Sequence, residues 1–74
     1  MEERRAILEA FGANVRSARQ ARDWTQEDLA AATGLAVVQI SRVERGVREV
    51  RLTTLVRLSK SLEVSPEQLL QGAL

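Results

Sequence analysis

The sequence predicts an all-α fold, a compact bundle of five helices. Three observations lead there. Every stretch longer than about six residues carries apolar residues at helical spacing. No segment alternates β-branched and polar residues as a strand does. Only four glycines and one proline interrupt the chain, with no linker, low-complexity segment or internal repeat. Its 74 residues suit one domain, residues 1–74, with a small core that gains from a partner.

The first helix runs from about Glu3 to Arg22. Ile7, Phe11, Val15 and Ala18 recur on one face as a core stripe, with Leu8 beside it. Asp23 can take a left-handed cap at some cost. Trp24 packs between this helix and the next pair. Thr25 starts the second helix, because its hydroxyl can accept a backbone N–H while Asp28, three residues on, returns the bond. Leu29, Ala30 and Ala32 form a small apolar face. Gly34 ends the helix, since glycine turns left-handed without a Cβ penalty. Leu35 turns inward. The third helix spans about Ala36 to Arg45, with Ile40 and Val43 buried, and Gly46 stops it. A loop, Val47 to Arg51, leads to the fourth helix, Leu52 to Leu62, with Leu52, Leu55, Leu58, Ser59 and Leu62 facing inward. Val64 enters the core. Ser65-Pro66-Glu67-Gln68 combines a serine cap, a proline at the first helical position and a glutamine at the third. The fifth helix then runs to about Gln71, carrying Leu69 and Leu70, with Leu74 at the terminus.

Composition removes several functions. There is no histidine or cysteine, hence no disulfide framework, no zinc site and none of the commonest catalytic groups. The remaining serines and carboxylates form no catalytic constellation, so an enzyme is not expected, and neither is a cofactor or small-molecule ligand. No apolar run approaches the ~18 residues of a membrane helix. The N-terminus lacks a secretory signal pattern. A cytoplasmic protein is expected. Net charge is only +1, but its distribution is uneven. Six basic residues fall between Arg42 and Lys60, opposed only by Glu44 and Glu49. Ten of the eleven basic residues are arginine, the residue suited to bidentate phosphate and guanine contacts.

Two short helices joined by a glycine turn make a helix-turn-helix, whose second helix lies in the DNA major groove. Here that helix presents Val37, Val38, Gln39, Ser41 and Arg42 outward. Valine methyls can pack on thymine methyl groups, Arg42 can bridge O6 and N7 of guanine, and Gln39 can pair with adenine or reach a phosphate. Arg45, Arg48 and Arg51 follow, within reach of flanking phosphates, although a solvated basic loop is nearly as good a reading for Arg51.

The stretch Thr25 to Gly46 resembles the helix-turn-helix of lambdoid phage repressors and Cro proteins, the XRE-like family. The resembling residues are Thr25-Gln26-Glu27-Asp28-Leu29-Ala30, Gly34-Leu35, Ile40-Ser41 and Val43-Glu44-Arg45-Gly46. Weaker likeness extends from about Phe11 to Leu70. The resemblance implies a phosphate contact at Gln26 and groove entry by Arg48. It also implies an internal ion pair of Arg19 with Glu44 that locks the recognition helix to the first helix. Residues 1–10 look like an extension of the family's first helix. The chain departs from the pattern at Asp23, usually glycine, and at Ala36, usually serine or threonine. It departs again at Val50-Arg51, often proline-serine. Without the Ala36 cap the first turn of the recognition helix is expected to fray until DNA binds. The cap of the fourth helix is left open.

The expected function is sequence-specific transcriptional regulation through double-stranded DNA. The protein would bind a (pseudo)palindromic operator as a homodimer joined by Leu69, Leu70 and Leu74. Short relatives of this kind include restriction–modification controller proteins. The competing expectation is an antitoxin or other protein-interaction module.

Overall fold

The computed structural model describes residues 2–74. Five helices follow in order: α1 Glu2–Ala21, α2 Gln26–Thr33, α3 Val37–Glu44, α4 Leu52–Leu62 and α5 Pro66–Leu69. No strand occurs among the described residues. α1 packs against α3, α2 lies between α3 and α4, and α5 closes the bundle against α1 and α4.

The helix ends follow local chemistry. Thr25 Oγ1 accepts from the Asp28 N–H at 3.0 Å, and the Asp28 carboxylate accepts from the Thr25 N–H at 2.8 Å. Ser65 and Gln68 repeat that reciprocal box at the start of α5. Gly34 closes α2 at φ 78°, in the left-handed region. Asp23 and Glu63 take the same region at φ 58° and 56°, where a Cβ makes the conformation costly.

The core joins Phe11 and Val15 of α1 to Leu29 and Ala30 of α2 and Ile40 and Val43 of α3. Leu58, Leu62 and Leu69 complete it, with Trp24, Leu35, Leu55, Val64 and Leu70 packed around the rim. Several expected positions differ. Ile7 is exposed, and Leu8, one residue on, is the buried side chain. Towards its N-terminus α1 runs alongside the α3–α4 loop, which covers the Leu8 side. Leu52 stands 75% exposed rather than inward, because the first turn of α4 projects past the core edge. Ala32 also faces out. α5 stops at Leu69, and the chain then turns. There Asn14 Nδ2 donates to the carbonyls of Leu69 (2.8 Å) and Gln71 (2.7 Å), tying the end of the chain to α1.

Gly12 sits mid-helix in α1, where glycine is unfavourable by about 1 kcal/mol relative to alanine. Its place has a steric cause. A Cβ there would lie 2.2 Å from the Val43 carbonyl oxygen and 2.8 Å from that of Glu44. The missing side chain lets α1 press directly on the C-terminal backbone of α3.

Candidate nucleic-acid interface

α3 divides into two faces. Ile40 and Val43 are buried against the core, 0% and 2% exposed. Val37 and Val38 both point to solvent, at 38% and 50% exposure, and neither folds back on α2. Arg42 and Arg45 are exposed beside them, while Gln39 and Ser41 are half-buried. Two adjacent solvent-facing valines cost apolar exposure that folding alone does not explain.

Behind this face lies a charged cluster. Arg19 Nε donates to Glu44 Oε2 at 2.7 Å, and its Nη2 donates to Oε1 at 2.9 Å. The side chains are 10% and 3% exposed. The third arginine donor, Nη1, reaches the Trp24 carbonyl at 2.8 Å. A buried carboxylate thus receives a bidentate guanidinium, the strongest geometry for such a pair. Hydrogen bonding to Glu44 holds the Arg19 pKa above its ordinary value. Burial pulls the other way, and charge attraction from Glu44 and Glu27 adds to the rise. Arg22, in the turn just past α1, stacks over Trp24 with 4.4 Å to the ring centre and reaches Glu63 at 3.6 Å.

Gln26 belongs to the same cluster. Its Nε2 donates to Glu44 Oε1 at 3.2 Å, so the side chain is held inside the protein. At the start of α2 the N–H groups of Gln26 and Glu27 have no acceptor among the described residues, while Thr25 caps that of Asp28. At the start of α3, where Ala36 offers no side-chain cap, Gln39 supplies a bond instead. Its Oε1 accepts from the Ala36 N–H at 2.9 Å, supplying the returning half of a capping box that alanine cannot begin. That bond uses one lone pair of the amide oxygen and leaves Nε2 free as a donor. The oxygen keeps a second lone pair, so Gln39 in this pose still offers one donor group and one acceptor site.

Beyond α3 the chain forms a shallow depression of about 390 Å³, lined by Gln39, Arg48, Arg51, Thr53, Thr54 and Arg57 among others. It opens beside the N-terminus of α4, where Arg51 is the cap residue and makes no side-chain capping bond. Free backbone donors, the positive helix end and three arginines make this hollow attractive to a phosphate. Arg57 belongs to the basic run from Arg42 to Lys60, whereas Thr53 and Thr54 carry no charge that marks them in the sequence. The departure from proline-serine at Val50-Arg51 was the available signal. The two acids opposing the basic run are both paired: Glu44 with Arg19, and Glu49 with Arg4.

A short helix pair around Gly34, with its second helix exposed on one face and locked on the other, matches the family described as helix-turn-helix over residues 15–69. The chain belongs to that helix-turn-helix family. It shares 40% identity over 58 residues with an uncharacterized HTH-type transcriptional regulator of Mycobacterium tuberculosis, covering 78% of this chain. It spans only 23% of that regulator's length. Control protein C.SmaI of Serratia marcescens is 44% identical over 64 residues, 86% of this chain and 76% of the relative. Among solved structures, the restriction–modification controller protein C.Esp1396I, a tetramer in complex with its natural 35 base-pair operator, superposes with a TM-score of 0.79. Identity is 31%, over 90% of this helix-turn-helix chain and 93% of the other.

The expected dimer residues separate. Leu69 is 1% exposed and fills the chain's own core, so it is not available to a partner. Leu70 is half-buried on the rim, and Leu74 is fully exposed. The exposed apolar residues that share a hollow with Leu70 are Ile7 and Leu52, and Val56 is open elsewhere on α4. No helix among the described residues is long and apolar enough to cross a membrane.

Proposed function

We propose that this protein is a sequence-specific DNA-binding transcriptional regulator of the controller type, acting in the cytoplasm. It binds a (pseudo)palindromic operator as a homodimer. The observation that carries this reading is the outward face of α3. Val37, Val38 and Arg42 are held open to solvent while Glu44, on the same helix, is locked to α1. In this reading Arg42 bridges a guanine, the valines contact thymine methyls, and Gln39 donates through Nε2 to a base or phosphate. Ser41, Arg45 and Arg48 approach flanking phosphates, and Gln26 contributes its backbone N–H at the positive end of α2.

Dimerisation follows from groove geometry. One recognition helix reads a few base pairs, whereas a two-fold pair reads half-sites about 34 Å apart. The molecule measures 31 × 23 × 21 Å, a size compatible with that spacing for two copies side by side. The apolar residues around Leu70, namely Ile7 and Leu52 with Leu74 nearby in sequence, form the proposed contact. C.Esp1396I, bound to its operator as a tetramer, supports the oligomeric reading.

Sedimentation of wild type beside Leu52→Glu tests the dimer. Leu52 is the better probe than Leu70, since its exposure makes the variant harmless to the monomer's core. A dimer at micromolar concentration that the glutamate splits is expected. A monomeric wild type whose operator binding ignores the substitution would exclude this interface.

A further inference from the structure

The first turns of α1 lie before the stretch matched to the family, which begins at residue 15. They nevertheless hold the loop that carries Arg48. Gly46 rests on α1 so closely that a Cβ there would lie 2.8 Å from the Glu9 Cα. Leu8 is 7% exposed and lines shallow hollows together with Gly46, Val47 and Glu49. Three residues past Gly46, Glu49 accepts from Arg4 Nε at 3.0 Å, and Arg4 Nη2 lies at the same distance from the same oxygen. Arg48 therefore sits in a four-residue span, Gly46 to Glu49, pinned to α1 on both sides. Its own side chain forms no ion pair among the described residues and is exposed.

We infer that Arg4 and Leu8 form a brace that positions the α3–α4 loop, and with it Arg48, for contact with DNA. The inference rests on the DNA-binding reading above. A loop restrained before binding loses less conformational freedom when its arginine meets a phosphate. Arg4 and Glu49 are 59% and 66% exposed, so the ion pair acts chiefly on position and little on folding. Arg4 is thus a positioning residue, acting through Glu49 on Arg48.

The test uses the duplex that wild-type protein recovers from a random pool. Arg4→Ala should weaken binding to it by about two- to fivefold, the range an exposed pair allows. The exchanged pair Arg4→Glu with Glu49→Arg, which conserves net charge, should restore most of that loss. In an Arg48→Ala background Arg4→Ala should have no further effect. Without DNA, Arg4→Ala should speed hydrogen exchange at the Val47 amide, which donates to the Arg42 carbonyl at 3.1 Å. Additive losses from Arg4→Ala and Arg48→Ala, or an exchanged pair as weak as Arg4→Ala alone, would overturn the brace while leaving DNA binding intact. Recovery of no duplex by wild type would remove the DNA reading and the brace together.

Discussion

Two ion pairs join α1 to the region around α3, and they are built from the same residue types. Arg19–Glu44 lies near one end of α1 and Arg4–Glu49 near the other. Their shortest distances are 2.7 and 3.0 Å. Burial separates them. The first pair is at most 10% exposed, and the second at least 59%. In water a carboxylate that loses its arginine is resolvated at little cost, whereas in the core it is stranded. The inner pair therefore bears on whether the protein folds. The outer one bears on where a loop sits once it has folded. Similar distances say little about energy until burial is known.

Breaking the inner pair should have the largest effect. Glu44→Ala is expected to cost about 3–5 kcal/mol, because Arg19 keeps only the Trp24 carbonyl as a partner. A chain of this size has a total stability of about 4–11 kcal/mol, so the variant should melt far below wild type or not fold at all. Urea titration of both single mutants and the double mutant measures the coupling. Additive losses would mean the pair contributes no energy of its own.

Gly12→Ala probes the contact between the two pairs. Its methyl group would meet carbonyl oxygens that belong to backbone, so α1 and α3 must separate. A loss of about 1–3 kcal/mol is expected despite alanine's better helix propensity. A more stable Gly12→Ala protein would contradict the close approach.

Asp23→Gly should move stability the other way, by about 1 kcal/mol upward, through relief of a left-handed aspartate. Glu63→Gly should yield less, since that side chain also faces Arg22. Thermal melts of the two variants order these effects.

Arg4→Ala sharpens the comparison from the weak side, with a stability change below about 1 kcal/mol. A loss as large as that of Glu44→Ala would erase the distinction.

The smallest expected effect is of pH. The Arg19 pKa is raised on folding, so its contribution is complete below the ordinary arginine value and disappears only as pH rises through the higher folded value. Between about pH 7 and pH 9 the stability difference between wild type and Glu44→Ala should stay level.

What could be read from sequence divides along the same line of burial and distance. Caps are local, and Thr25-Asp28 and Ser65-Gln68 were legible because each box closes within four residues. The stripe of α1 was ambiguous at its start. Ile7 and Leu8 both continue the Phe11–Val15 spacing, and the choice between them is made by the α3–α4 loop, some forty residues away. Leu52 departs from the inward position its spacing predicts, because amphipathic spacing cannot show where a helix outruns its core. Gly12 carried a readable signal, a glycine inside a strong helical pattern, whose meaning is close backbone approach. The outward residues of α3 followed from periodicity. The engagement of Gln39 with Ala36 and of Gln26 with Glu44 did not, since each depends on a side-chain conformation. Arg4 and Glu49, 45 positions apart, meet only through the fold.

The central claim is that α3 reads bases on one face because Arg19 and Glu44 hold the other. Selection from a random duplex pool, with wild type beside Arg42→Ala, tests it most directly. Wild type should enrich a sequence with two-fold symmetry. Arg42→Ala should lose discrimination of about 1–3 kcal/mol at a single base pair in each half-site while keeping the rest. An Arg42→Ala protein with wild-type preference at every position would contradict the account.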